Sequence, residues 1–287
     1  MGGRTLDELF PDLGRRTLVM GILNVTPDSF SDGGRYGDVD AAVEAALTML
    51  AQGADVVDIG GESTRPGSDP VSLEEELRRV IPVVEALAEL GIQGLSVDTT
   101  KAEVARRAVA AGAGLVNDVS ALTFDPEMAD AVAALGVPLV LSHTRARPKT
   151  MQQGELTYEG GVLAAVIREL EASIAKAVAA GLPQAQLIVD PGIGFGKDLD
   201  QNLALIRGLD QLKAALRRPV LIGTSRKSFL GALTGQPAEA RDAATLASVV
   251  LAIQYGADMV RVHDVPGTVD AVKVADALVR VAAPTGL

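Results

Sequence analysis

The chain has 287 residues, 48% of them apolar, no cysteine and a net charge of −11. A chain this apolar builds a core rather than staying disordered, and the lack of cysteine excludes disulfides, thiolate chemistry and cysteine-held metals and fits a reducing compartment. The acidity argues against a nucleic-acid partner, and with no bilayer-length apolar run and no signal segment the expectation is a cytoplasmic protein with no membrane partner.

After an N-terminal segment, 1–16, short Val/Ile/Leu runs alternate with alanine-rich amphipathic stretches. The runs lie at 17–25, 54–59, 94–98, 115–119, 137–143, 187–190, 219–223 and 258–263. They are continuously apolar, as parallel strands covered on both faces should be. Helical patterns follow at 39–52, 72–90, 101–111, 125–135, 158–180, 198–216, 241–255 and 266–281. Gly53, Gly91, Gly112, Gly136, Gly181 and Gly256 stand after most of them as helix stops. Eight strand–helix pairs in this length predict an α/β fold, a (β/α)8 TIM barrel, with a doubly wound open sheet second. No linker or composition break appears, so 1–287 read as one domain.

Active sites of such barrels form at the C-terminal strand ends. Here the strands end, in order, at Asn24, Asp58, Asp98, Asn117-Asp118, His143, Asp190, Thr224-Ser225-Arg226-Lys227-Ser228 and Arg261-Val262-His263. Any one of these alone reads as a turn former, a helix cap or a satisfied structural histidine. Gly192-Ile193-Gly194-Phe195-Gly196 alone lacks the spacing of a dinucleotide fingerprint. Eight loops sharing one such excuse is the poorer account, and the set reads as a functional rim.

The segments GILNVTPDSFSDGG (21–34), DIGGESTRPG (58–67), SVDTTK (96–101), NDVSAL (117–122), DPGIGFGK (190–197), TSRKSFLG (224–231) and RVHDV (261–265) each fall on a different strand end. In this order they resemble the dihydropteroate synthases of folate biosynthesis, over nearly the whole chain. The resemblance implies a magnesium (Mg2+)-dependent transferase and sulfonamide target, usually a homodimer, that joins 6-hydroxymethyl-7,8-dihydropterin diphosphate to 4-aminobenzoate. Asp98, Asn117, Asp190 and Lys227 look like the pterin pocket. Thr64, Arg65, Pro66, Phe195 and Ser228 look like aminobenzoate contacts, and Asn24, Arg261 and His263 like the diphosphate and metal end. Strand five departs from the family pattern: Ser142-His143-Thr144 stands where Met-His and a bulky residue are usual. His143 is kept but receives no role.

The chemistry suits these residue types. A carboxylate such as Asp190 accepts the paired N–H groups of an aminopyrimidine edge, Asn117 reads a mixed edge and Lys227 donates to ring atoms. Arg261, His263 and magnesium form a local cationic patch for the diphosphate, and magnesium needs only one or two protein ligands, so Asn24 suffices. Departure of diphosphate leaves a cation on the pterin methylene, which an Asp98 anion stabilises. Asp98, Lys227, Arg261 and His263 are thus the expected catalytic set for a dissociative substitution. Ser228 opens a helix suited to the aminobenzoate carboxylate. The loop 25–34 reads as a lid that brings Phe30 to the aminobenzoate ring, with Gly33 and Gly34 as hinges.

Two other readings stand beside this one. A methyltetrahydrofolate methyltransferase would share the pterin pocket but has no use for Thr64-Arg65-Pro66 or Ser225-Arg226-Lys227-Ser228. A non-catalytic pterin-binding paralogue would carry lesions in the lid, Asp98 or Arg261/His263, and none is seen.

Overall fold

The structure, a computed structural model, describes residues 3–26, 34–65, 67–153 and 156–280, the side chains of 34–38 excepted. Its strands are β1 (Leu18–Asn24), β2 (Val56–Gly60), β3 (Leu95–Asp98), β4 (Leu115–Asp118), β5 (Leu139–Ser142), β6 (Leu187–Asp190), β7 (Leu221–Ile222) and β8 (Met259–Val262). All are parallel, in the order β6-β5-β4-β3-β2-β1-β8-β7. A parallel bridge between Val189 and Val220 joins the two ends and closes the sheet. The fold is therefore the expected TIM barrel and not the open sheet.

The helices are α1 (Leu6–Leu9), α2 (Gly34–Ala51), α3 (Leu73–Glu89), α4 (Ala102–Ala111), α5 (Met128–Leu135), α6 (Val162–Ala179), α7 (Leu199–Arg207), α8 (Leu209–Leu216), α9 (Ser228–Thr234), α10 (Asp242–Gln254) and α11 (Val265–Val279). The six expected stop glycines all have positive φ. The helix expected over 198–216 is two, because Gly208 leaves helical geometry and ends α7. Tyr158 lies ahead of α6 rather than in it. None of the helices is long and apolar enough to cross a membrane among the described residues.

Side chains alternate across each strand. The outward set, including Val19, Val57, Val97, Val116 and Val260, packs under the helices as one large apolar cluster. The inward set forms a second cluster: Leu18, Met20, Val56, Leu115, Val140, Ile188, Leu221 and Met259. Leu6 and Phe10 join it from the N-terminal segment and plug the barrel floor. A capping box on Thr5 and Glu8 fixes α1, and the Leu6 N–H donates to Gln186 Oε1 at 2.6 Å.

Candidate functional site

On five strands the same phase turns polar two residues above the apolar inward position: Val56 leads to Asp58, Leu115 to Asn117, Val140 to Ser142, Ile188 to Asp190 and Met259 to Arg261; on β1 it does so four residues above Met20, past Ile22, at Asn24. These residues crown the core and, with Asp58 buried beneath the others, floor a cavity of about 700 Å³ at the C-terminal mouth. Asn24, Thr64, Arg65, Asn117, Asp190, Phe195, Lys227, Ser228, Arg261 and His263 all line it. Asp98 is buried beside it and lines an adjoining cleft of about 210 Å³ between the loops after β2 to β5. Phe30, Pro66 and most of the expected lid lie outside the described residues.

Arg261 is the centre of the floor. Its Nε donates to Asp58 Oδ2 at 2.6 Å and its Nη2 to Asp98 Oδ2 at 2.7 Å. Asp58 Oδ2 also accepts from Asn117 Nδ2 at 2.8 Å. Burial opposes the Arg261 charge, but the two carboxylates hold it protonated. Burial also dominates at Asp98 and pushes its carboxyl up to about 7, against the pull of Arg261. With both carboxylates ionised the triad carries one net negative charge under the cavity. Asp58 was given no role from the sequence. The signal was there in the two-residue phase from Val56, the same that marks Asn117 and Asp190.

Asp190 stands across the barrel. Its Oδ1 accepts the Gly192 N–H at 2.7 Å, and burial raises its pKa while Lys227 opposes the rise. Gly192 is obligatory at this turn: φ is 69°, and a Cβ there would lie 1.9 Å from the His143 carbonyl oxygen. Lys227 lies 4.3 Å over the Phe195 ring and donates to the Ile193 carbonyl. Burial brings its pKa down to about 8, against Asp190.

His263 is not a cation here. Burial, then Arg261 and Arg226, lower it to about 4. Ser225 Oγ accepts the His263 backbone N–H at 3.1 Å and lies 2.9 Å from Nδ1. The cationic side chains lining the mouth are Arg65, Arg79, Arg226, Lys227, Arg241 and Arg261, the last paired with Asp58 and Asp98.

Two strand-end residues read as part of the rim face elsewhere, because their neighbours take the inward positions. Asp118 follows inward Asn117 and accepts from Ser120 and Leu122 to shape the next turn. His143 follows inward Ser142; its Nε2 pairs with Glu169 Oε2 at 2.9 Å and its Nδ1 with Lys197 Nζ at 3.1 Å. Lys197 also donates to the carbonyls of Gly192 and Phe195, so this buried group braces the 192–197 turn from behind. Nothing local in the sequence signals it, since Glu169 comes from α6.

Asn24 ends β1 and lines the cavity. Among the described residues no three His, Asp or Glu side chains are grouped to hold a metal ion. Magnesium commonly takes one or two protein ligands with water and phosphate oxygens, and Asn24 is a residue at the mouth able to serve as one.

The family model for pterin binding enzymes matches residues 20–263. Dihydropteroate synthase of Synechocystis sp. is 49% identical over 271 residues, 94% of this chain and 92% of that protein. The solved dihydropteroate synthase of Xanthomonas albilineans with 4-aminobenzoic acid superposes with a TM-score of 0.84 at 50% identity, over 93% of this chain and 94% of that one. The same enzyme in complex with 7,8-dihydropteroate gives 0.82 at 48%, over 93% and 95%.

Proposed function

The chain belongs to the pterin binding enzyme family, and from that premise we propose that it is a dihydropteroate synthase. It joins 6-hydroxymethyl-7,8-dihydropterin diphosphate to 4-aminobenzoate and releases 7,8-dihydropteroate and diphosphate. The observation that carries the reading is the floor of the cavity, where Asp190, Asn117 and Lys227 converge around the Asp58–Arg261–Asp98 triad.

In this reading the pterin lies on that floor. Asp190 accepts its amino and ring N–H groups; the Gly192 bond leaves a lone pair on Oδ1 and all of Oδ2. Asn117 spends one N–H on Asp58 and keeps Oδ1 as an acceptor beside its second N–H. A ring without the matching donors would leave these buried groups unpaired and be rejected. The diphosphate meets Arg261 Nη1, which has no partner among the described residues, and neutral His263, which donates to it with the proton on Nε2. Magnesium, held by Asn24, would neutralise leaving-group charge. The methylene C–O bond breaks, the net negative triad stabilises the cation, and the aromatic amine forms the C–N bond. The amine proton leaves to water or to the departing diphosphate. Ser228, Thr64, Arg65 and Phe195 hold the aminobenzoate, together with Phe30 and Pro66 from outside the described residues; sulfonamides compete there.

We also read the protein as a cytoplasmic homodimer. Val250 and Leu251 of α10 and Val274 and Leu278 of α11 are exposed apolar side chains on two helices packed side by side. A patch of this kind suits an interface between copies. Sedimentation at twice 29.6 kDa tests it. The activity is tested by diphosphate release: release that needs both substrates and magnesium is expected, and its absence with active preparations would overturn the assignment.

A further inference from the structure

Two charged residues of the strand-end motifs, Glu62 and Lys101, have no part in the chemistry above. They meet beside the cavity. Lys101 Nζ donates to Glu62, in the loop after β2, and to Glu76 of α3. Glu76 is buried, and its Oε1 accepts the Thr99 hydroxyl at 2.6 Å. The Thr99 oxygen in turn accepts the Lys101 backbone N–H at 3.2 Å, so the turn after β3 is fastened to α3. Burial disfavours the Lys101 ammonium, but hydrogen bonds to the two carboxylates outweigh it and raise its pKa.

The loop after β2 starts from this pair. Gly61 lies against α3: a Cβ there would come within 2.8 Å of Val80 Cγ2, and its carbonyl accepts Arg79 Nη1 at 2.7 Å. Beyond Glu62, Ser68 Oγ donates to the Arg65 carbonyl at 2.8 Å and lies 2.9 Å from Ser63 Oγ. Thr64 and Arg65 stand between these points and line the large cavity, whereas Glu62 lines the adjoining cleft. On the far side the Gly67 N–H donates to the Pro148 carbonyl at 2.9 Å, and Lys149 pairs with Asp69 at 2.6 Å. The Lys149–Asp69 pair is solvent-exposed on both sides, where such pairs contribute little.

We propose that Glu62 and Lys101 are positioning residues: the link from buried Glu76 through Lys101 to Glu62 holds Thr64 and Arg65 where 4-aminobenzoate binds. This rests on the synthase reading above. Glu76 is already fixed by burial and by Thr99, so Lys101 is placed before Glu62 meets it. Ordering one loop side chain against a fixed partner costs less entropy than ordering the two free side chains of an exposed pair. Once the link is cut, the loop spends time in other positions and aminobenzoate affinity falls with the competent fraction. The pterin residues Asn117, Asp190 and Lys227 belong to β4, β6 and the turn after β7, so pterin binding does not depend on it.

Glu62→Ala cuts the link at the loop end. Lys101 and Glu76 stay paired, and Asp98 keeps Arg261, Asp58 and Glu76 around it. Diphosphate release is measured with each substrate varied in turn. The KM for 4-aminobenzoate is expected to rise about 10-fold, as for a loop competent one tenth of the time, with kcat and the KM for the dihydropterin diphosphate at native values. Glu62→Gln, which can still accept from Lys101, is expected to recover part of the loss, and Lys149→Ala to behave as native. An unchanged aminobenzoate KM in Glu62→Ala overturns the proposal. So does an equal rise in both KM values, which marks general damage to the mouth, or a rise of the same size in Lys149→Ala, which removes any special role for the buried link. A native enzyme that works beside a Glu62→Ala variant that matches it fails this inference alone. If the native protein releases no diphosphate with both substrates present, the synthase reading fails first and this inference with it.

Discussion

The lower and upper halves of the barrel interior are made by the same strands in the same side-chain phase, yet they have opposite chemistry. Below, Leu18, Met20, Val56, Leu115, Val140, Ile188, Leu221 and Met259 fill the space with Leu6 and Phe10 as a stopper. Above, Asp58, Asn117, Ser142, Asp190 and Arg261 stand one inward step higher, two residues on along their strands. The lower layer lets water be excluded without any polar debt. The upper layer buries charge on top of it and spends stability to hold groups ready for a ligand. Separation along the axis lets each be changed without the other, except where one residue serves both.

Asp190→Ala should have the largest effect. Charged hydrogen bonds contribute about 1.5–3 kcal/mol each, so losing two predicts a fall in pterin affinity of at least about a hundredfold by calorimetry. Circular dichroism should show the fold intact. Retained affinity would break the division at its upper end.

Arg261→Met should break the separation itself. It leaves Asp58 and Asp98 buried without their cation, and removal of one partner from such a network costs about 3–5 kcal/mol. Chemical denaturation should show that loss together with impaired turnover. Adding Asp58→Asn should restore part of the stability and none of the activity.

Leu115→Ala probes the lower layer. Deleting a fully buried leucine costs about 2–5 kcal/mol, read as a lower denaturation midpoint, with the KM for both substrates unchanged. A KM shift would show that the two layers are mechanically coupled.

His263→Ala should weaken the diphosphorylated pterin about 10-fold, the scale of one hydrogen bond to a charged group, and leave the bare pterin unaffected. Equal losses would move His263 out of the diphosphate site.

The smallest effects concern pH. Asp98 is ionised above about 7 and Lys227 is charged below about 8. Turnover should therefore fall as pH drops through 7, because Asp98 protonates, and pterin binding should weaken as pH rises through 8, because Lys227 loses its charge. The bell belongs to the coupled floor as a whole, and Lys227→Met should flatten its alkaline limb.

The sequence determined the repeating unit. Strand runs, helix periodicity and stop glycines are local signals, set by residues a few positions apart, and they carried eight strands and the barrel; the motifs at the strand ends added ten expected site residues that line the cavity. The two-residue phase that makes Val56 core and Asp58 floor is also local, and Asp58 was legible by it. What only the tertiary structure decided depends on barrel closure and burial. Closure sets Arg261 against Asp58, 203 positions away, and Asp98, 163 away. Packing of α6 on the barrel brings Glu169 to His143 and turns a strand-end histidine into a brace behind the 192–197 turn. Burial among cations makes His263 neutral, although its sequence neighbourhood suggested a charge. Pairing at long range and removal of water are properties of the assembled ring, so no window of sequence contains them.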